Sequence, residues 1–141
     1  MTFDRSKHPD LYEAIRDRLS NHGLPYVIEN VLGAPYRQGL ILCGSMFGMV
    51  VRRHRNFEAS FLMFPPRQCA HIEQGRPITV TGHGGNNPRP HSWKGIHAKW
   101  PEYMMMPWAT PDEVTQAIPP LYTEYIGERL LAELRARESA G

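Results

Sequence analysis

A single carboxylate closes an apolar run at Pro25-Tyr-Val-Ile-Glu-Asn-Val31, and further along the chain Phe47-Gly-Met-Val-Val51 leads into four consecutive basic residues, Arg52-Arg-His-Arg55. At the end of a strand expected to be buried, Glu29 is a candidate to share a proton with a ligand. Arg53 and Arg55 lie two apart. Side chains alternate along a strand, so a strand over 50–57 would put both arginines on one face, in reach of a base edge or a phosphate, with Arg52 on the other. The plainer reading is a solvated carboxylate at a strand end and a basic strand face turned to water.

The elements that must position these groups are legible in part. Pro9, Asp10 and the apolar face Leu11, Ala14, Ile15 and Leu19 predict an amphipathic helix that stops at His22-Gly23. The run Tyr26-Val-Ile28 is apolar without alternation, which suits a strand covered on both faces, as in a parallel sheet. Gly39-Leu-Ile-Leu-Cys43 reads as a second short strand, and Pro77-Ile-Thr-Val-Thr81 as another. From about Pro65 to Pro107, Pro, Gly, Asn and His crowd the chain and predict a loop-rich insert. Thr110-Pro-Asp-Glu113 is a capping box opening a short helix through Ala117. After Pro119-Pro120, one face of a closing helix carries Leu121, Tyr122, Tyr125, Ile126, Leu130 and Leu134.

With 141 residues, 41% hydrophobic and 21% charged, the chain has the size and composition of one soluble globular domain. A net charge of +2 is too mild to indicate nucleic-acid binding without local clustering. Cys43 and Cys69 are the only cysteines, so no disulfide framework is expected. Neither a secretion signal nor a membrane-length apolar run is read in the sequence, and the cytoplasm is the expected compartment.

Three segments in order resemble the C-terminal portion of a cytosine-5 DNA methyltransferase of phage type. They are the Glu29-Asn-Val31 strand end, the Leu42-Cys-Gly-Ser-Met-Phe-Gly48 segment with its basic strand, and Ile118-Pro-Pro-Leu-Tyr-Thr123 with the helix it opens. Methylating carbon 5 of cytosine requires a thiolate added at carbon 6, a carboxyl group at N3 and the exocyclic amine, and a cation at O2. The resemblance implies that Glu29 is the cytosine-binding acid, that Arg55 contacts O2 and that Arg53 supports the site. Val51 and Val50 stand where the family has glutamine and proline. Gln116, Ala117 and Ile118 fall in the family's last motif beside S-adenosylmethionine, although Thr115-Gln116 replaces its Gly-Asn. The family's Phe-x-Gly-x-Gly loop and Pro-Cys-Gln nucleophile do not occur, and neither Cys43 nor Cys69 sits in a matching position.

The segment between the basic strand and the last motif recognises the target in this family. Here Arg67, Arg76, Arg89, Lys94 and Lys99, together with Arg52, are candidate DNA contacts, and Trp93 and Trp100 are candidates for stacking or wedging. A competing reading of the insert is a zinc centre drawn from Cys69, His71, His83, His91 and His97, but their spacings match no standard finger, and no metal is assigned from the sequence.

The expected fold is α/β: a partial Rossmann-like methyltransferase sheet over 1–58, a short target-recognition-like insert over 59–109, and closing helices over 110–141 that return to the sheet. The expected function is cytosine-5 methylation of double-stranded DNA with S-adenosylmethionine, completed by a separate polypeptide that carries the N-terminal half. The alternative is a non-catalytic DNA-binding or accessory subunit, or an inactive truncated relic.

Overall fold

The computed structural model describes residues 11–33, 37–80 and 96–140. Among them three strands, β1 (Val27–Val31), β2 (Leu40–Leu42) and β3 (Arg55–Ala59), form one sheet in the order β1-β3-β2. Both pairings are antiparallel. This corrects the parallel, Rossmann-like expectation for the described part of the sheet. The unbroken apolar run before Glu29 ends in an edge strand whose burial is only partial, and Glu29 and Val31 are exposed.

Helices lie on both faces, so the architecture is mixed α/β. Register sets the division of side chains. Val31 pairs with Arg55 and Glu29 with Phe57, while Leu40 and Leu42 pair with Phe57 and Arg55, so these side chains share a face. The first turns of α5 (Pro120–Ala140) cover that face, where Tyr122 and Ile126 pack on Leu40, Leu42, Met49 and Phe57. On the opposite face Glu58 meets α1 (Tyr12–Asn21), accepting hydrogen bonds from Tyr12 and, at 2.6 Å, from Arg16 Nε. The predicted apolar face of α1 is not what anchors it. Leu11 and Ile15 are 55% and 47% exposed.

Between β2 and β3 the chain makes a 3₁₀ turn, Gly44–Phe47, closed by Gly48 at φ 71°. Gly44 donates to the Arg52 carbonyl at 2.7 Å, and a Cβ there would stand 1.8 Å from the Val51 carbonyl oxygen. Only glycine permits this approach. The strand expected over 50–57 is shorter than predicted and begins at Arg55, because Arg53 takes a left-handed φ of 26° and interrupts the alternation. The strand expected at 77–81 reduces, in its described residues, to a single parallel bridge from Ile78 to Val51.

The insert contains α2 (His71–Gln74) and α3 (Trp100–Tyr103), the latter preceded by a 3₁₀ turn at His97–Lys99. It has its own small core of Val80, Trp100 and Met104, joined by Val51 and by Val114 of α4 (Pro111–Gln116). The capping box that opens α4 forms as expected between Thr110 and Glu113, and the helix ends at Gln116. α4 thus packs with the insert, and α5 carries the chain back to the sheet. No helix among the described residues is long and apolar enough to cross a membrane.

Candidate functional site

Glu29 and Arg55 meet on the α5-covered face of the sheet, at its β1 side. Their register positions are diagonal, and Arg55 Nε stands 2.9 Å from Glu29 Oε1. The Arg55 side chain is 18% exposed and that of Glu29 35%, so the pair is in contact with solvent while still backed by the core. A second donor of Arg55, Nη1, holds the His54 carbonyl at 2.9 Å.

Arg53 takes a different path. Its Nη1 donates to the Val80 carbonyl at 3.2 Å and its Nη2 to the Thr115 carbonyl at 2.7 Å, which ties the entrance of β3 to the insert and to α4. Burial, then the charge of Arg55, lowers its guanidinium to about 10. Arg53 Nε is buried and lacks a hydrogen-bond partner among the described residues. Behind it, the fully buried Tyr122 donates its hydroxyl to the Arg53 carbonyl at 2.8 Å. Burial pushes this phenol up, so it stays protonated and remains a donor. The structure therefore separates the two arginines that the sequence set on one face. Arg55 is turned to Glu29, and Arg53 to the backbone carbonyls of Val80 and Thr115.

The other predicted contacts divide the same way. Arg52 Nε donates to Gln74 Oε1 at 2.9 Å, and its Nη2 to the carbonyls of His71 and Gly75 at 3.2 and 2.9 Å, so it clamps the start of the insert. Arg67 donates to the Ser45 carbonyl at 2.8 Å. Arg76 and Lys99 are exposed. Trp100, expected as a stacking or wedging residue, is instead a core residue with 5% exposure, packed with Val80, Met104 and Val114. Arg89, Trp93, Lys94, His83 and His91 lie outside the described residues. Gln116 is exposed, with its amide 3.4 Å from the Thr115 hydroxyl, and Ala117 and Ile118 are half-buried.

Sequence reading missed one constellation. Cys43, at the end of β2, and His54, just before β3, come together with Cys69 and His71 of the insert, and one ligand atom from each lies within 4.8 Å of all the others. Burial, then the neighbouring His71 and Arg52, push the His54 imidazole below its ordinary range, which favours the neutral ring. The Cys-x-His pair was visible in the chain. Its partners, distant in sequence and split between a strand end and a basic run, were not.

No protein-family model, curated protein or solved structure matches the chain significantly.

Proposed function

We propose that this chain is the C-terminal half of a cytosine-5 DNA methyltransferase-like protein, which methylates cytosine in double-stranded DNA with S-adenosylmethionine when a partner fragment completes it. The Glu29–Arg55 pair carries the reading: one carboxylate and one guanidinium, 2.9 Å apart, at the partly solvent-exposed β1 side of the sheet. A cytosine ring edge presents N3 and the exocyclic amine beside O2. A carboxyl group set against a guanidinium matches that edge, with Glu29 at the nitrogens and Arg55 at O2. Arg53 and Tyr122 hold the backbone from which Arg55 projects, so the cation need not reorganise when charge develops on the base.

Gln116, Ala117 and Ile118 offer one exposed amide and two half-buried apolar side chains, and the Thr115 carbonyl already accepts from Arg53. That set does not fit S-adenosylmethionine as a pocket by itself. The cofactor and the nucleophilic thiolate are therefore assigned to the partner fragment. In this reading the partner also extends the sheet at the open edge of β1 into a Rossmann-like one and covers Leu11, Ile15 and Val31, which are exposed on α1 and β1.

Co-expression with a fragment carrying the glycine-rich loop and the Pro-Cys-Gln motif tests this. The expected result is a stable complex that methylates carbon 5 of cytosine and is slowed ~10²–10⁴-fold by Glu29→Gln, the usual worth of a positioned acid or base, with assembly intact. An assembled complex whose turnover ignores Glu29→Gln would remove Glu29 from the site. A complex that binds DNA and never methylates would favour the accessory subunit.

A further inference from the structure

The cluster of Cys43, His54, Cys69 and His71 has a geometry that ordinary packing does not require. Cys43 Sγ stands 3.3 Å from His71 Nε2, and Cys69 Sγ stands 3.7 Å from His54 Nε2. Zinc bonds of about 2.3 Å to sulfur and about 2.0–2.1 Å to nitrogen, arranged tetrahedrally, place sulfur and nitrogen about 3.5 Å apart. The two observed distances bracket that edge. Both imidazoles present Nε2, and their rings cross at 85° with centroids 5.1 Å apart, an arrangement open to two ligands on different vertices.

We propose that Cys43, His54, Cys69 and His71 bind one zinc ion as a closed, four-ligand structural site that pins the start of the insert to the sheet. Two thiolates and two neutral imidazoles around a divalent cation sum to zero charge. That balance suits a site whose deepest ligand, Cys43, is fully buried. Ion entry displaces the two thiol protons to solvent and leaves no open coordination position, so the ion organises structure and takes no substrate. The ligand set of sulfur and imidazole, without carboxylate, selects against magnesium and calcium.

The surroundings are built for the ligands. Ser45 is 2% exposed, and its hydroxyl oxygen accepts from the Ala70 amide at 3.1 Å while lying 3.2 Å from Cys43 Sγ. Its proton is thus left to donate to the sulfur, which orients a thiolate and spreads its charge. Arg52 holds the carbonyls of His71 and Gly75, and Gln74 donates to the Met49 carbonyl at 2.7 Å, so the Cys69–His71 segment is seated from both sides. The physical need is plain as well. α2 has four residues and no buried one, so this corner of the insert cannot hold itself by apolar burial.

The site uses neither Glu29 nor Arg55, and its test reads metal rather than methyl transfer. The full chain, purified in reducing buffer without chelator, is assayed for metal by mass spectrometry. After exchange, Co²⁺ is added and the visible spectrum recorded. One zinc per chain is expected, with intense tetrahedral cobalt bands and a sulfur-to-cobalt charge-transfer band. Cys69→Ser and His71→Ala should abolish stoichiometric binding, whereas His97→Ala, at an insert histidine packed edge-on against Trp100, should leave it intact. Ser45→Ala should weaken cobalt affinity by ~10–100-fold. Should a ligand variant fail to fold, chelation of the wild-type chain decides, and it should lower the melting temperature reversibly. A folded chain that takes up neither metal, a Cys43–Cys69 disulfide that persists in reducing buffer, or binding unchanged by Cys69→Ser and His71→Ala would overturn the proposal.

Discussion

Arg55 reaches Glu29 diagonally across the β1–β3 ladder, from the position opposite Val31 to the position opposite Phe57, and closes on its carboxylate at 2.9 Å. The two residues are brought together by antiparallel register alone, and a shift of one residue in that pairing would send Glu29 to the α1 face. Arg53, two positions earlier, is held by carbonyls of the insert and of α4. The pair of arginines therefore divides into one that faces Glu29 and one that ties β3 to the insert and α4.

This division predicts opposite signatures for two alanine substitutions. Arg55→Ala removes a partly exposed ion pair, so unfolding by denaturant should change by less than about 1 kcal/mol. Its binding to duplex DNA carrying a mismatched or extruded cytosine should weaken by ~1–3 kcal/mol in a salt-controlled titration. Arg53→Ala strips the Val80 and Thr115 carbonyls of their donor, and should lower stability by roughly 2–3 kcal/mol. Equal stability losses for both would show that Arg55 is structural as well.

Much of the frame was readable because its determinants are local. The Leu40–Leu42 strand, the Thr110–Glu113 capping box and the packing of Tyr122 and Ile126 all follow from spacing within a few residues. The strand through Arg53 was misread because a non-glycine residue at φ 26° carries no local signature. That backbone is held by contacts at Thr115 and Tyr122, far along the chain. The direction of β1 was misread for a related reason, since an apolar run reports burial and says nothing of which strand pairs with it. The Cys43, His54, Cys69 and His71 cluster joins three stretches, and only the fold makes it a set.

A pH dependence is expected from the α1 anchor. Burial pushes the Glu58 carboxyl up, but hydrogen bonds from Tyr12 and Arg16, with the charges of Arg16 and Arg37, outweigh it and hold the group below the usual glutamate range. A carboxyl whose folded pKa is depressed contributes stability that is fully present above its unfolded value and is lost as pH falls through the folded one. Thermal melts should therefore show a drop below the ordinary glutamate range, and Glu58→Gln should flatten it by removing the titrating group. Wild-type and Glu58→Gln curves that fall in parallel through that acid window would place the sensitivity elsewhere.

Trp100 supplies a test of how the insert is used. Its indole is 5% exposed, packs with Val80, Met104 and Val114, and buries an N–H that has no partner among the described residues. An unsatisfied buried donor costs stability, so replacing the indole by a smaller ring removes that penalty while opening a modest void. The two effects oppose each other. Trp100→Phe should leave stability within about 1 kcal/mol of wild type, whereas Trp100→Ala should cost ~3–5 kcal/mol by emptying the insert core. A tryptophan stacked on a base would give another pattern, a loss of about 1–3 kcal/mol in nucleic-acid affinity on removal of the ring, with little change in folding. Denaturant unfolding and a DNA titration on the same two variants separate the cases. A large loss of folding stability in Trp100→Ala, with Trp100→Phe close to wild type, is the outcome that the buried position requires.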